Sequence, residues 1–360
     1  MAMAEASDVE KYIREKFDVK EVYYKGSSSM EFSIHGGAPY EKNFKELVSF
    51  LRPKGLIPLL RNGSGGLTIY VESHPVPPSR IGMIPAASLL ATIAIAVADG
   101  WLRATSLEGL LTGSEILRDT VLYTVFIMLF LAVNAAVRFV ICRRVGVPFA
   151  APYFIPGFPT LIPTSGLLSI PREPPVNRDV AFKLGAWAAV AGLFVASAAL
   201  LMGALDTRVL TQQAALDFFG ANSTFVPLQV PPGLEYLVGA FHRLNAGSVV
   251  VLSPLVYAGW FCFLLSFVNL IPCTRLDGGR MASSLMGENR VVIATLASIT
   301  VLFLVSFWMA LIVFLLSWGA REPLPLDSVS KPPRTNAYLL VGFLCVAAVV
   351  YILFLFPRLP

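Results

Sequence analysis

The sequence predicts a multi-pass α-helical membrane protein, with six transmembrane helices behind a small N-terminal soluble α+β domain. Three observations carry that reading. Of 360 residues, 56% are hydrophobic and only 14% charged, against about a quarter charged in soluble domains, and the mean hydropathy is +0.69. Six apolar stretches are each long enough to cross a hydrocarbon core about 30 Å thick. The first 78 residues, in contrast, alternate short helical and strand-like patterns. The net charge of +5 is scattered through short loops, so the expected partner is the lipid bilayer and no nucleic acid.

The soluble domain, residues 1–78, reads α-β-β-α-β-β. Asp8 is a candidate N-cap for a helix through Phe17, with Val9, Tyr12, Ile13 and Phe17 on one face. Val22–Lys25 and Met30–His35 read as strands around the turn GSSS. Pro39–Leu51 reads as a helix, with Phe44, Leu47, Val48 and Leu51 at helical spacing. Ile57–Arg61 and Leu67–Val71 form a hairpin across NGSGG. PVPPSR then makes a stiff linker.

The membrane domain, residues 79–360, has expected spans at about 81–98, 120–141, 181–205, 248–271, 291–318 and 337–356. Small residues in the second to fifth permit close packing. Between the second and third, about 148–175, the chain is apolar but dense in proline and glycine. Irregular backbone at membrane depth needs protein or a cavity beside it, so a re-entrant or interfacial loop is expected. Basic residues follow the second and fourth spans in modest excess, among them Arg143, Arg144, Arg275, Arg280 and Arg290. They place both termini in the cytoplasm, in an integral cell-membrane protein. The polar, acidic N-terminus argues against a cleavable signal peptide. The cysteines Cys142, Cys262, Cys273 and Cys345 form no CxxC, so neither a disulfide framework nor a zinc knuckle is indicated.

Two polar features inside the apolar runs call for an explanation. Asn134 and Arg138 lie four apart in the second span and share one helix face, with Ala135 between them. Beyond the fourth span, Asn269 and Pro272 precede Leu276-Asp277-Gly278-Gly279. Proline and paired glycines break the helix and leave a carboxylate at membrane depth. Such an Asp costs about 2.5–3.5 kcal/mol on insertion scales and marks a functional site by default. The plain alternative is a helix-ending turn with an interfacial Asp.

NLIPCTRLDGG, the preceding AGW (Ala258-Gly259-Trp260) and CRRVGV…PYFIPGFP together resemble the site-2 protease family of intramembrane zinc metalloproteases. PTSGLLSI resembles its re-entrant strand segment, and PPVNRDVAFKLGAW and REPLPLD fit its flanks. The resemblance covers nearly the whole chain and implies the six-helix core of that family. It also implies zinc bound by His-Glu-x-x-His on the second span together with Asp277. At the matching positions stand Asn134-Ala135-Ala136-Val137-Arg138, and His35, His74 and His242 all lie elsewhere. An amide is a weak zinc ligand and a guanidinium none, and Ala135 offers no base. The Gly-Pro of the third span is likewise absent, with Gly185-Ala186-Trp187 in its region.

Three functions remain open from the sequence. The leading one is a catalytically inactive pseudoprotease without cofactor, its groove binding a transmembrane protein segment by β-augmentation. The second is an active enzyme with ligands rearranged to Cys142, Cys273 and Asp277, and Asp277 or Glu288 as base. The third is a transporter or channel component, against which no inverted repeat is seen. The leading reading pairs Arg138 with Asp277, with Asn134 hydrogen-bonding nearby; the alternative is that Arg138 snorkels to headgroups beside Arg143 and Arg144.

Overall fold

A computed structural model describes residues 3–25, 29–35, 40–63, 66–73, 82–149, 151–160, 162–169, 173–220, 231–245, 247–305, 307–318 and 324–355. The N-terminal domain comprises α1 (Met3–Lys16), β1 (Val19–Lys25), β2 (Ser29–Ile34), α2 (Tyr40–Leu51), β3 (Leu56–Gly63) and β4 (Gly66–Ser73). Its strands pair antiparallel in the order β1-β2-β4-β3. Val9, Ile13, Phe44, Leu47 and Leu51, at helical spacing on α1 and α2, are buried with Phe32, Ile34, Leu60 and Ile69 of the sheet. Asp8 is not the cap of α1, because the helix-favouring stretch MAEA starts it five residues earlier, at Met3. His74 and the linker PVPPSR lie outside the described residues.

The membrane domain follows with α3 (Met83–Thr105), α4 (Gly113–Val145), β5 (Tyr153–Phe158), β6 (Ile162–Leu168), α5 (Arg178–Leu205), β7 (Arg208–Thr211), α6 (Gln212–Phe219), α7 (Pro232–Phe241), β8 (Ser248–Val251), α8 (Pro254–Leu270), α9 (Asp277–Met286), α10 (Glu288–Val305), α11 (Phe307–Ser317) and α12 (Arg334–Val350). Helices α3, α4, α5 and α12 are long and apolar enough to cross a membrane, whereas α8 and α10 are shorter apolar helices. The protein is thus a membrane protein with an N-terminal α/β domain. A capping box of Thr112 and Glu115 opens α4, and Gly146 in the left-handed region closes it.

Two expected spans are corrected. The segment 248–271 is not one helix: valine-rich Ser248–Val251 pairs with β7, and Pro254 then opens α8. The stretch 291–318 is not one straight span. Thr295 and Ser317 both hydrogen-bond Thr274, through Thr274 N–Thr295 Oγ1 at 3.1 Å and Ser317 Oγ–Thr274 O at 3.2 Å. Twenty-two residues of continuous helix would separate them by about 33 Å, so α11 turns back along α10, and Leu302, Ala310 and Val313 share one cluster. The proline-rich stretch 148–175, expected to be non-helical, contains an antiparallel hairpin, β5–β6, with a bulge at Ser165. Helix α12 starts beside the first turn of α5 and runs into the bundle, where Tyr351 stacks on Phe267 of α8. Asn336 at the start of α12 donates to Asp179 at the start of α5, beside the N-terminal domain. The turn that continues α12, Tyr351–Leu355, packs against α7.

Helix packing rests on small residues. Gly203 and Gly259 let α5 and α8 meet backbone to backbone: a Cβ on Gly203 would stand 2.4 Å from Val256 N, and one on Gly259 2.6 Å from Leu200 N. The N-terminal domain is stitched to this bundle. Leu60 on the β3 edge exchanges hydrogen bonds with residues 326–328 (Leu60 N–Leu326 O 2.8 Å, Ser328 N–Leu60 O 3.3 Å), which also bond Pro175 and Val176 ahead of α5. Arg61 donates to the carbonyls of Pro325 and Leu326. Cys142 and Val147 of the α4 end join the domain's own apolar core.

The close contacts yield a paired test. A Cβ on Gly279 would sit 1.9 Å from Cys273 O, while one on Gly342 meets nothing within 4 Å. Gly279→Ala is expected to lower stability by about 1–3 kcal/mol, and Gly342→Ala to raise it by about 0.5–1 kcal/mol. Unfolding in detergent measures both; equal stabilities would contradict the close approach.

Candidate functional site

Helix α4 turns one face inward along its length: Tyr123, Ile127, Leu131, Asn134, Arg138 and Cys142 recur every three or four residues, and all are buried. Across from Arg138 the chain leaves α8 at Ile271, passes Pro272, and makes a tight turn with Cys273 N on Ile271 O at 2.7 Å and Leu276 N on Cys273 O at 3.0 Å. Arg275 in that turn adopts φ +71°. Leu276 then caps α9, which places Asp277 in its first turn, where helix N–H groups favour a negative charge. Gly278 and Gly279 are dictated by crowding: Cβ atoms there would lie 2.2 Å from Leu270 O and 1.9 Å from Cys273 O. Gly185 of α5 closes the third side, because a Cβ there would stand 2.6 Å from Asp277 O.

The structure brings Arg138 and Asp277 together. Arg138 Nη2 lies 2.6 Å from both Asp277 Oδ1 and Oδ2. Arg138 is 6% exposed and Asp277 2%, so Arg138 points into the bundle and not toward the exposed Arg143 and Arg144. Arg280, one turn into α9, holds Nη1 at 3.9 Å from Asp277 Oδ1. Its Nη2 donates to Ser169 O at 2.8 Å, just past β6. Charge-assisted bonds of this length are strong, yet Arg138 Nε is buried without a hydrogen-bond partner.

Other residues singled out in the sequence stand apart from this pair. Asn134 is buried, but its Nδ2 donates to Phe130 O at 2.8 Å in its own helix, so the expected bond near the pair is replaced by a local one. Ala135 is half-buried in the same turn of α4, and Asn269 and Pro272 are half-buried at the exit of α8. Cys142 packs into the core of the N-terminal domain. Cys273 lies beside α10, its Sγ 4.0 Å from Thr295 O. The set Cys142, Cys273 and Asp277 therefore does not converge: among the described residues no group of three His, Cys, Asp or Glu side chains could hold a metal. A cation of the protein, Arg138, already stands on the carboxylate of Asp277. His35 is exposed, and His242 bonds Ala204 O at 2.9 Å. Trp101, Trp187 and Trp318 are exposed, and Trp260 is half-buried.

Sequence reading missed a second polar centre, Asp99 with Arg103 and Tyr123, at the other end of α4. Its signal was an Asp inside an apolar run with Arg four residues on.

Removing one member of a buried pair strands the other charge. Arg138→Met is expected to cost about 3–5 kcal/mol. Arg138→Met with Asp277→Asn together should cost clearly less than the sum of the two single changes. Additive losses in an unfolding assay would show that the pair does not couple α4 to α9.

Residues 234–313, which include α8, the Asp277 turn, α9 and α10, match the profile of Peptidase family M50; positions 134–138 lie outside that match. The chain is 24% identical over 263 residues to "Probable zinc metalloprotease EGY2, chloroplastic" of Oryza sativa subsp. indica, covering 68% of this chain and 45% of the relative. It is 25% identical over 236 residues to the Arabidopsis thaliana protein of that name, covering 64% and 41%. It is 33% identical over 104 residues to "Probable zinc metallopeptidase EGY3, chloroplastic" of Arabidopsis thaliana, covering 28% and 18%. The chain thus spans less than half the length of these relatives. No solved structure matches it. A broken α8 leading into Asn269-x-x-Pro272 and Leu276-Asp277-Gly278, within the matched region, identifies the chain as one that carries a Peptidase family M50 (site-2 protease) domain and is homologous to the EGY zinc metalloproteases.

Proposed function

We propose that the chain is a catalytically inactive site-2 protease homologue, a pseudoprotease that binds an extended segment of another membrane protein. One observation carries the reading: the guanidinium of Arg138, with Nη2 2.6 Å from both oxygens of Asp277, stands on the carboxylate that the family resemblance assigns to zinc. A fixed cation there repels a dication, and neither Asn134 nor Ala135 supplies a ligand or a base of the required kind. Loss of the metal site, rather than its rearrangement, is the simplest account of those replacements taken together.

The binding half of the proposal rests on the β5–β6 hairpin. Among the described residues its two strands pair only with each other, so an outer backbone edge of β6 is left for an incoming strand. A transmembrane segment unwound by glycine or proline could add there, needing no water or metal. The excess of basic residues after α4 and around α9, Arg143, Arg144, Arg275 and Arg290, supports the N-terminal domain facing the cytoplasm, or the equivalent compartment of an organelle. The transporter reading loses support because Asn134, Arg138 and Asp277 are all engaged within the chain.

A second reading, an active metallopeptidase with other ligands, is favoured by the printed names of the relatives. A cross-linking experiment separates the two. The probe is a model transmembrane peptide of about 20 apolar residues with a central Gly-Pro break and one cysteine in that break. It is reconstituted in vesicles with a Ser165→Cys variant under oxidation. The expected result is a disulfide adduct of full-length probe, absent for the same peptide without the Gly-Pro break. Cleaved probe with the unaltered protein would refute the inactive reading, and equal adducts from both peptides would refute strand addition.

A further inference from the structure

The hairpin tip is gripped by a buried charge cluster that lies away from the Arg138–Asp277 pair. Asp99, 0% exposed, sits in α3 two turns from its end. Its carboxylate accepts from the Tyr123 hydroxyl of α4, from Arg103 Nε at 3.0 Å, and from the amide of Thr160 at the β5–β6 turn. Arg103 Nη2 donates in turn to Thr160 O at 3.2 Å. Its guanidinium also lies 5.0 Å from the Tyr257 ring of α8, within cation–π range. One ion pair therefore holds both backbone polar groups of a single turn residue.

That residue is itself strained. Thr160 has φ +68°, a left-handed conformation in which a β-branched residue is an outlier. Strained backbone and a carboxylate buried in an apolar bundle each cost free energy, and they persist where the surroundings over-determine them. Two further hydrogen bonds hold the hairpin at its other end, while Phe154, Ile162 and Leu167 pack on the bundle core. Ser88 Oγ accepts from Phe154 N at 3.2 Å, and Arg280 Nη2 donates to Ser169 O. The edge of β6 is thus suspended between two arginine–carboxylate pairs, Arg103–Asp99 at the tip and Arg280–Asp277 at the root.

We propose that Asp99, acting with Arg103, is a positioning residue: it clamps the Thr160 turn to α3 and so holds β6 as a rigid, pre-aligned edge for an incoming strand. The strand-binding part of this statement rests on the function proposed above; the clamp itself does not. Without it, β6 would have to be ordered at the moment of binding, and that ordering entropy would be subtracted from affinity. The hairpin between its two anchors has few means of staying in register, since Pro156 and Pro163 remove two amide donors from the ladder.

Hydrogen exchange of the full-length protein in lipid nanodiscs tests the clamp. In Asp99→Asn, and independently in the half-exposed Arg103→Gln, amides of residues 153–168 should exchange about tenfold faster, equivalent to about 1.4 kcal/mol, while α4 and α5 keep their protection. In the Ser165→Cys background the adduct with the Gly-Pro transmembrane peptide should fall by a similar factor. Unchanged protection of residues 153–168 in both variants would overturn the proposal. So would faster exchange spreading through α4 and α5, because that is the signature of general loosening. If Ser165→Cys alone forms no adduct, the strand-binding reading fails, and the exchange data still decide the clamp.

Discussion

A carboxylate in the first turn of α9, 2% exposed, must be neutralised by something, and the architecture around it is arranged to keep it buried. The chain breaks at Ile271 and Pro272, and Gly278, Gly279 and Gly185 let three backbone segments close to within contact of it. Neutralisation comes from α4, at Arg138. The pair joins two parts of the sequence 139 residues apart, and its energetic weight lies less in the attraction gained than in the penalty for leaving either charge alone in the bundle. An imidazole-and-metal arrangement would meet the same demand with a dication. Here one guanidinium meets it.

The second constraint is the joining of the soluble domain to the bundle. The three residues 326–328 lie between the β3 edge at Leu60 and the strand-like entry to α5 at Pro175 and Val176. Arg61 and Arg52 reinforce the seam, the latter with Nε 2.9 Å from the buried Glu173. Because Cys142 of α4 is part of the domain's apolar core, one helical turn separates that core from Arg138. The domain is an extension of the α4 end, so a disturbance of its packing reaches the charged pair through a single rigid helix. The same helix carries Tyr123, and with it the hydroxyl that supports Asp99 near its opposite end.

Much of this was legible in the sequence. The α-β-β-α-β-β order followed from short-range periodicity, and spacing placed Asn134 and Arg138 on one face. Spacing fixes a face but not a rotamer, so the amide of Asn134 could not be assigned: its own helix offered Phe130 O one turn back, and that local acceptor won. Hydropathy measures burial in apolar surroundings but not direction. It therefore could not tell a single crossing from the returning pair α10–α11, nor see β8 within the apolar run that continues into α8. The cluster at Asp99 brings together residues 24 and 61 positions away in sequence, and the pairing of residues 326–328 with Leu60 spans more than 260. Neither leaves a local pattern. The proline-rich stretch was read correctly as non-helical, but its strands alternate around a bulge and two prolines, which hides the period of two.

The central claim is that Arg138 stands in the place of a metal. Metal content of the purified protein, compared with a variant carrying Asn134→His, Ala135→Glu and Arg138→His together, tests it most directly. The account predicts that the unaltered protein carries no stoichiometric zinc and that the triple variant retains it through dialysis. Zinc near one equivalent in the unaltered protein, lost on Cys273→Ala or Asp277→Ala, would contradict it.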